Sequence, residues 1–506
     1  MADDKPLKAV HLSIAYDAAT SGAEKYAPLE PADKVTLDNI ATDLRPIEFS
    51  HDALGNHISA SFGGDWKAID GAGPWMRWDG QRFVEDRLQA AYNCGRQCLR
   101  IVAVNCDNIK IARQISSRTD LHAALKNAAA MPRHAVGRHE FDANDWLLNT
   151  AGGVVDLRTG RIQPHDRDLL MTRMTPAAPE GDCPTFYSFL REATGGDADT
   201  VAYLHRALGY ALTGSVEEHA LFFLYGPGGT GKSVLLNALR EALGDYAVHA
   251  PMDVFTVATG ERHSTDLAML EGARLVTASE TEEGRRWDEA KLKSITGGDP
   301  ITARRMRQDN VTFLPKFKLV IAGNYRPTMR SADDAMKRRM NIIPMMIKPP
   351  VVDHNLSEKL RAERGGILKW MIEGCLEWQQ RRLGAPAVVL QATSEYFDQE
   401  NVIGRWIADR CVREKATTTN TQVLYRDFKN WASGAGEFVV AENRFSQRLA
   451  AMGFTKKLHP ATRRAGFAGL ALVAGDQTEL AMGDGSGVSA PAAPDWRTDP
   501  AEDFER

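Results

Sequence analysis

Short apolar runs separated by polar and glycine-rich turns characterise the middle of the chain. The runs Arg274–Ala278, Lys318–Ala322 and Asn341–Met346 are typical of buried strands. A further strand-like stretch begins the segment Leu221–Leu243, whose second half has its apolar residues on one face of a helix. This pattern predicts an α/β fold for the region.

Helical spacing of apolar residues predicts helices on both sides of this region. The segment Thr185–Leu212 is predicted to be helical and to form a collar that helps copies of the chain assemble. Its expected buried positions are Phe189, Leu190, Leu204, Leu208 and Leu212. Another helical stretch is predicted around Ile367–Arg382, and a helix over Glu442–Met452 is expected to bury Phe445, Leu449 and Met452.

Two segments near the N-terminus predict short strands and turns. They are Gly73–Asp86 and Asn144–Ile162. Their tryptophans, Trp75, Trp78 and Trp146, are expected to be buried in a core rather than to form a platform for stacked bases.

Length and composition are consistent with a multidomain globular protein. The chain has 506 residues, 43% of them hydrophobic, and a formal net charge of −4. No apolar run approaches the roughly 20 residues needed to span a bilayer, and the first ten residues lack the apolar core of a signal peptide. A cytoplasmic location, in a bacterial host cell, is therefore expected.

The segment Gly226–Ser233 has the phosphate-binding pattern G-x-x-x-x-G-K-S between the predicted strand and helix. Glycines allow backbone N–H groups to close around phosphates, Lys232 supplies a positive charge to the β and γ oxygens, and Ser233 offers a hydroxyl to Mg²⁺. The pattern predicts a nucleoside triphosphatase that uses ATP and Mg²⁺. The expected nucleotide-binding residues are Gly226, Pro227, Gly228, Gly229, Thr230, Gly231, Lys232, Ser233 and Val234.

Polar side chains follow the next two predicted strands. Glu280 is the first candidate, and Glu282 the second, for the carboxylate that holds the Mg²⁺ shell or orients the attacking water. Asn324 could hydrogen-bond the γ-phosphate, although an Asn after a strand is usually a turn residue. Glu283 is better explained as part of a solvated loop.

The stretch between those two strands is the most basic in the chain. Ile301–Met306 and Val311–Phe317 flank the probable hairpin tip Arg307–Asn310. A basic hairpin suits a nucleic-acid backbone, while a solvated charged face remains the alternative. The DNA-contacting candidates here are Lys293, Arg304, Arg305 and Arg307.

Paired arginines precede the last predicted strand. Arg338 or Arg339 is a candidate arginine finger, a residue that stabilises charge developing on the γ-phosphate and in ring ATPases comes from the neighbouring subunit. In that case the active form is an oligomer. A structural salt bridge to Asp333 or Asp334 is the alternative.

In combination, these motifs resemble the superfamily 3 helicase module of phage, plasmid and poxvirus primase-helicases, over roughly residues 200 to 350. The resemblance implies an AAA+-like ATPase that forms hexameric rings and moves 3′ to 5′ on single-stranded DNA. It implies that Lys232 and Ser233 hold nucleotide, that Glu280 is the Walker B acid and that Asn324 is the sensor. Thr281 separates Glu280 from Glu282 where many members have adjacent acids, so the roles of those two glutamates stay open.

A separate domain is predicted after this module. A helix followed by a basic hairpin is how winged helices contact duplex DNA, and a packing domain without DNA contact is the alternative. Its expected DNA contacts are Arg444, Arg448, Lys456 and Lys457. The region before residue 200 also resembles the leader of such phage proteins and is too short to hold a primase domain as well, so a separate primase or polymerase is expected as partner.

The sequence thus predicts an α/β P-loop, AAA+-like ATPase core, a mixed α+β N-terminal leader with a helical collar, and a C-terminal winged-helix-like domain. The expected parts are a tail 1–40, a leader 41–184, a collar 185–215, the ATPase domain 216–350, a helical connector 351–395, the winged-helix-like domain 396–474 and an acidic tail 475–506. The expected function is that of an ATP-dependent DNA helicase, which moves 3′ to 5′ on single-stranded DNA as a ring and unwinds forked DNA in the replication of a phage, prophage or plasmid. The alternative is an origin-binding initiator that uses ATP only as an assembly switch.

Overall fold

A computed structural model describes residues 46–257, 265–279, 284–304, 310–329, 333–414, 417–437, 439–460 and 462–473. Within these residues the chain forms two compact units. Unit 1 comprises 46–78 and 84–138, and unit 2 comprises 79–83 and 139–473. The leader predicted over 41–184 therefore extends over both units. No helix in the described ranges is both long and apolar enough to cross a membrane.

Unit 1 combines four helices with a four-stranded sheet. In chain order its elements are α1 (His51–Phe62), β1 (Trp66–Ile69), β2 (Trp75–Trp78), β3 (Phe83–Glu85), α2 (Ala90–Val104), α3 (Ile109–Ile115), α4 (Arg118–Ala130) and β4 (Ala135–Val136). The sheet order is β3-β2-β1-β4. Trp75 and Trp78 are half-buried rather than buried as predicted. Trp75 packs edge-on against Phe62, at 5.2 Å between ring centroids.

A three-stranded sheet and two helices begin unit 2. They are β5 (Leu147–Thr150), β6 (Gly153–Asp156), β7 (Arg161–Gln163), α5 (Pro184–Ala193) and α6 (Ala198–Tyr210). Gly195 and Gly196 adopt positive φ angles and interrupt the helical segment that was predicted as continuous. The five expected apolar positions of this segment are all buried. Trp146, in contrast, is half-buried, and the centre of its ring lies 6.2 Å from that of Trp378.

The elements that follow build the centre of unit 2. They are β8 (Leu221–Tyr225), α7 (Lys232–Leu243), β9 (Ala247–His249), α8 (Thr265–Ala268), β10 (Leu275–Ser279), α9 (Glu289–Gly297), β11 (Ile301–Arg304), β12 (Asn310–Phe313), β13 (Lys318–Gly323), α10 (Asp334–Lys337), β14 (Met340–Pro344), α11 (Leu356–Ala362), α12 (Arg364–Arg381) and α13 (Ala387–Glu400). Strands β8, β9, β10, β13 and β14 form one parallel sheet in the order β14-β8-β13-β10-β9. Strands β11 and β12 form a separate antiparallel hairpin.

The central sheet is covered on both faces, which explains why its strands are almost continuously apolar. Successive residues of β8 alternate between two hydrophobic clusters: Phe222 and Leu224 pack with α5, α6, α7 and α12, whereas Leu221 and Phe223 pack on the opposite face. Helices α6 and α12 approach closely, because a methyl group built on Gly209 would lie 2.1 Å from the backbone nitrogen of Cys375. The predicted collar helices thus belong to the core that supports the sheet.

The last part of the chain has a hydrophobic core of its own. Its elements are α14 (Val402–Arg410), β15 (Cys411–Val412), β16 (Thr418–Asn420), α15 (Thr421–Gly434), α16 (Glu442–Ala451), β17 (Thr455–Leu458), β18 (Ala465–Ala468) and β19 (Ala471–Leu472). Three of the strands form an antiparallel sheet in the order β16-β18-β17. Phe445 and Leu449 are fully buried as predicted, while Met452 is only half-buried. The buried indole of Trp406 donates to Asp427, 2.7 Å away.

Candidate active site

Parallel pairing brings the carboxyl ends of three strands of the central sheet to one edge. Tyr225, the last residue of β8, pairs with Gly323 of β13, and Ala322 pairs with Ser279 of β10. The glycine loop (residues 226–231), Asn324 and the chain that follows Ser279 therefore leave the sheet at this edge, where open α/β sheets bind ligands. Glu280 and Glu282, the expected acids, lie outside the described residues.

Lys232 is the first residue of α7 and holds the glycine loop closed. Its ammonium donates to the carbonyl oxygens of Gly226 and Pro227, each at 2.7 Å, and to the hydroxyl of Thr230 at 3.3 Å. The side chain is buried, and burial lowers the pKa of Lys232 from its ordinary value. An ammonium already aimed into the loop can exchange its carbonyl partners for phosphate oxygens with little rearrangement.

The structural constraint that requires glycine differs from one position of this loop to the next. A methyl group built on Gly226 would lie 1.9 Å from the carbonyl oxygen of Met345, and one built on Gly231 would lie 2.6 Å from the ring of Phe189. Gly229 has a φ of 84°. A side chain at Gly228 would meet no atom within 4 Å. The loop is thus packed at both ends and open in its middle, where backbone N–H groups of a phosphate-binding loop contact the anion.

These contacts predict unequal effects of alanine substitution within the loop. Gly226→Ala is expected to lower the free energy of unfolding by about 2–3 kcal/mol, because the added methyl group collides with backbone rather than with a movable side chain. Gly228→Ala is expected to change it by less than about 0.5 kcal/mol. Urea unfolding of both variants measures the difference, and equal stability of the two would contradict this packing.

The other expected ligands of nucleotide and metal occupy suitable places. Ser233 is exposed in the first turn of α7, next to the half-buried Val234. The N-terminus of a helix favours anions, and a hydroxyl together with carboxylates is a donor set that Mg²⁺ accepts. Thr230 is buried and turned inward, where its hydroxyl donates to Pro227 at 3.1 Å.

Asn324 is exposed directly after β13, and it is followed by an arginine that the sequence did not single out. The guanidinium of Arg326 lies 4.7 Å from the ring centre of Tyr225 and 5.4 Å from that of Tyr396, and donates to Gln399 at 2.7 Å. Stacking on aromatic rings favours arginine over lysine at such a position. The sequence shows this arginine two positions after Asn324. The two tyrosines that it stacks on are distant along the chain, so the stacking could not be predicted from the sequence.

Arg338 and Arg339 lie near the amino ends of the strands, whereas the glycine loop lies at their carboxyl ends. They precede β14, which starts beside Leu221, the first residue of β8. Four residue steps along β8 separate that point from Tyr225, about 13 Å of strand. Arg338 is exposed, whereas Arg339 is half-buried and donates to the carbonyl oxygen of Ala335 at 2.9 Å.

One of the two acids considered as partners of these arginines, Asp333, pairs with a lysine instead. Asp333 caps α10 through the backbone nitrogen of Met336, at 2.9 Å, and forms an ion pair with Lys293. Lys293, expected near DNA, is therefore engaged with a carboxylate in this state of the chain. Its contact with DNA stays a prediction.

The predicted basic hairpin corresponds to β11 and β12. Ile301 and Ala303 are buried while Thr302 and Arg304 are exposed, the alternation expected of a hairpin with one face against the core. Arg304 pairs with Asn310 at the last described position of the ladder. Arg305 and Arg307 lie outside the described residues.

Four further basic residues expected to contact DNA lie on the C-terminal helices and strands. Arg444 is exposed on α16, and Arg448 on the same helix is half-buried. Lys456 and Lys457 are exposed on β17, and the ammonium of Lys456 donates to Ser446 of α16 at 3.3 Å. One surface thus combines a helix with the strand that begins the last hairpin.

Comparisons with known families place two matches on this chain. A family described as "D5 N terminal like" matches residues 55–195, and a family of unknown function, DUF5906, matches residues 224–339. The second match contains the glycine loop, Asn324 and both paired arginines. Together with the viral relatives described next, these matches support a D5-like primase-helicase family.

Individual relatives are viral. "Putative helicase L207/L206" of Acanthamoeba polyphaga mimivirus is 28% identical over 64% of this chain and 36% of its own length. "Putative helicase 022R" of Frog virus 3 is 22% identical over 47% of this chain and 27% of its own length. The chain thus spans about a third of the length of these curated relatives. Among solved structures, the NrS-1 C terminal region in its apo A form covers 80% of this chain and 96% of its own, at 10% identity and a TM-score of 0.44.

Proposed function

We propose that this chain is an ATP-driven DNA helicase that works as a ring in the replication of a virus or another mobile element. The observation that carries the proposal is the sheet topology. The glycine loop and Asn324 lie at one edge of a parallel sheet, and Arg338 is exposed at the other. The names of the viral relatives, helicases and in one case "Putative primase C962R" of African swine fever virus, support the same reading.

The residues at this edge of the sheet have different proposed roles in ATP hydrolysis. Lys232 binds the β- and γ-phosphate oxygens, and backbone N–H groups of the glycine loop bind the rest of the triphosphate. Asn324 hydrogen-bonds the γ-phosphate or the attacking water from the adjacent strand end. Ser233 and the carboxylate of Glu280 or Glu282 would hold Mg²⁺, which would neutralise charge on the phosphates when bound.

The position of Arg338 supports a role in the active site of a second copy of the chain. An exposed guanidinium at the far edge of the sheet cannot reach the phosphates bound by its own glycine loop, because the length of β8 separates them. It can reach the site of a neighbour in a head-to-tail ring, where every copy both lends and receives one arginine. We propose Arg338 for this role rather than Arg339, because Arg338 is exposed whereas Arg339 is half-buried. Both guanidinium groups donate to carbonyl oxygens of α10, Arg338 to Asp334 at 3.3 Å and Arg339 to Ala335 at 2.9 Å.

Motion along DNA is proposed to use the basic hairpin β11–β12.

The C-terminal domain is proposed to be a winged helix. The element order of this domain, with three helices and the sheet β16-β18-β17, puts α16 and the β17–β18 hairpin side by side. In winged helices one such element enters the major groove while the hairpin contacts phosphates.

The proposed activity is tested by strand displacement. The full chain is given forked DNA, ATP and Mg²⁺, with either a 3′ or a 5′ single-stranded arm, and release of the labelled strand is measured. We expect release that requires ATP and a 3′ arm. Binding to the fork without release, under conditions where ATP is hydrolysed or merely bound, would favour an initiator that uses ATP for assembly.

The winged-helix proposal gives a separate prediction for β17. Exchanging both Lys456 and Lys457 for alanine is expected to weaken binding to duplex DNA about tenfold and to reduce the slope of log affinity against log salt by about 2, since each phosphate contact contributes about 0.9. Fluorescence anisotropy at several salt concentrations measures both quantities. The matched control is Lys369→Ala, an exposed lysine on α12, which should leave affinity and slope unchanged.

A further inference from the structure

Unit 1 contains a cavity that is lined by none of the residues of the candidate active site. Its volume is about 290 Å³. The walls are the turn before β2, the first turn of α2 and one face of α4. Pockets for drug-sized ligands begin at about 300 Å³, so this cavity suits a single flat ring system with the group attached to it.

Two aromatic side chains line the cavity, and both are half-buried. The ring of Trp75 packs edge-on against Phe62 and His134, at 5.2 and 5.5 Å between ring centroids. The ring of Tyr92 lies 5.3 Å from that of His122. Trp75, which the sequence placed in the core, thus presents part of its ring to the cavity. Aromatic rings that are held by their neighbours and open on one side are platforms on which bases stack.

The turn before α2 is held in an unusual conformation at this cavity. Gln89, one of the lining residues, has a φ of 55°, a left-handed value that residues other than glycine rarely adopt. Asp86 fixes the turn, because its carboxylate accepts from the backbone nitrogens of Ala90 and Ala91 at 2.8 and 2.7 Å. Among the described residues that line the cavity Asp86 is the one acid, and its charge is compensated by the helix N-terminus.

The helical half of unit 1 is basic. Residues 87–138 contain nine arginines and lysines but two acidic residues, in a chain whose net charge is −4. One of the two acids, Asp120, is buried. Arg118, His122 and Lys126 recur every fourth residue on α4 and are exposed, so they form one stripe along the helix. This stripe reaches the cavity, which His122 and Lys126 line.

We propose that the cavity is a binding site for single-stranded DNA, in which one base stacks on Trp75 and Tyr92 while Lys126 and Arg118 contact the neighbouring phosphates. Stacking accepts any base, because every base has a flat face, and a positive stripe follows the backbone. Duplex DNA is a poor ligand, since a paired base must first leave its stack to enter the cavity. This site is additional to the DNA contacts proposed in unit 2, and it requires neither ATP nor hydrolysis.

Photocrosslinking of the full chain, without nucleotide, tests the position of the site. A strand of about 15 thymidines, in which 5-iodouracil replaces one base, is bound and irradiated, and the crosslinked peptides are identified by mass spectrometry. We expect crosslinks on the peptides that contain Trp75 or Tyr92, in addition to crosslinks in unit 2. Excess unlabelled single strand should remove the crosslinks in unit 1, and excess duplex should not. Crosslinks confined to unit 2 would overturn the proposal.

Two substitutions separate the base from the phosphates. Tyr92→Leu keeps an apolar side chain but removes the flat ring, and should weaken binding of the thymidine strand about fivefold without changing binding of an abasic strand of equal length. Lys126→Ala should reduce the slope of log affinity against log salt by about 0.7 for both strands. The matched control for the ring is Tyr187→Ala, a tyrosine of α5 that is 47% exposed.

The outcomes distinguish this proposal from the proposed function. If Tyr92→Leu binds the thymidine strand as tightly as the wild type, or loses affinity for both strands equally, no base is held in the cavity. A chain that gives the crosslinks in unit 1 but neither hydrolyses ATP nor displaces a strand contradicts the proposed function and leaves this site in place. Thermal unfolding of each variant shows whether unit 1 is still folded, and the crosslinks on the wild type do not depend on any variant.

Discussion

Lys232→Ala should reduce ATP hydrolysis by at least two to three orders of magnitude while duplex DNA is still bound. The ammonium is the one side-chain charge that we place on the β- and γ-phosphates from the glycine loop, and removal of a single preorganised donor commonly costs 10²–10³ in rate. Binding to duplex DNA is assigned to the C-terminal domain, whose hydrophobic core contains no residue of the central sheet. Phosphate release and anisotropy on the same preparation measure the two activities.

A structural effect of Lys232→Ala must be separated from the chemical one. The same ammonium bonds to Gly226 and Pro227, so its loss should also lower the free energy of unfolding by about 1–3 kcal/mol. Thermal unfolding without nucleotide measures that part. Lys369→Ala again serves as the control, since its ammonium is at the surface, 3.6 Å from Asp182. Simultaneous loss of hydrolysis and of duplex binding in a folded variant would argue against an independent C-terminal DNA site.

Arg338→Ala should reduce hydrolysis by about 10³-fold or more, the effect commonly seen when an arginine finger is removed. In the proposed ring, Arg338 acts on the active site of the neighbouring copy. A neighbour that retains its arginine should therefore restore hydrolysis when two variant chains are mixed. In an equal mixture of the Arg338→Ala and Lys232→Ala chains, random assembly gives about a quarter of the sites an intact lysine and an intact neighbouring arginine. Activity should therefore reappear on mixing two inactive proteins.

The mixing result discriminates between two roles of the paired arginines. Arg339→Ala is the comparison variant, because the side chain of Arg339 is half-buried and donates to the carbonyl oxygen of Ala335. Its loss is expected to lower stability rather than to be rescued by a partner chain. If the mixture stays inactive although both chains assemble, Arg338 does not act across an interface. If Arg338→Ala alone retains full activity, it has no part in hydrolysis.

The central strands could be predicted because their signal is local. The expected runs Arg274–Ala278 and Lys318–Ala322 agree within one residue with β10 and β13, since a strand covered on both faces must be apolar throughout. The helix after the glycine loop begins at Lys232, as the phosphate-binding pattern requires. Boundaries were less certain at Asn341–Met346, where the strand ends two residues earlier, at Pro344.

Features that depend on contacts between distant residues could not be read from the sequence. The insertion of β13 between β8 and β10 follows from packing of the whole sheet, and this order puts Asn324 between the glycine loop and the exit of β10. The contact of Phe189 with Gly231 and the stacking of Arg326 on Tyr396 join positions more than forty residues apart. The helices of unit 1 were also not predicted, although Leu54, Ile58 and Phe62 of α1 recur every fourth residue and are all buried.

The separate core of the C-terminal segment has a thermodynamic consequence. Since Trp406, Phe428 and Phe445 pack among residues of that segment, its cooperative melting does not require the parallel sheet to melt with it. Calorimetry of the intact chain should then resolve a heat-absorption peak for this segment that is separate from the peak of the central sheet. Substitutions that weaken this segment's core should in the same way leave the folding of the central sheet unchanged.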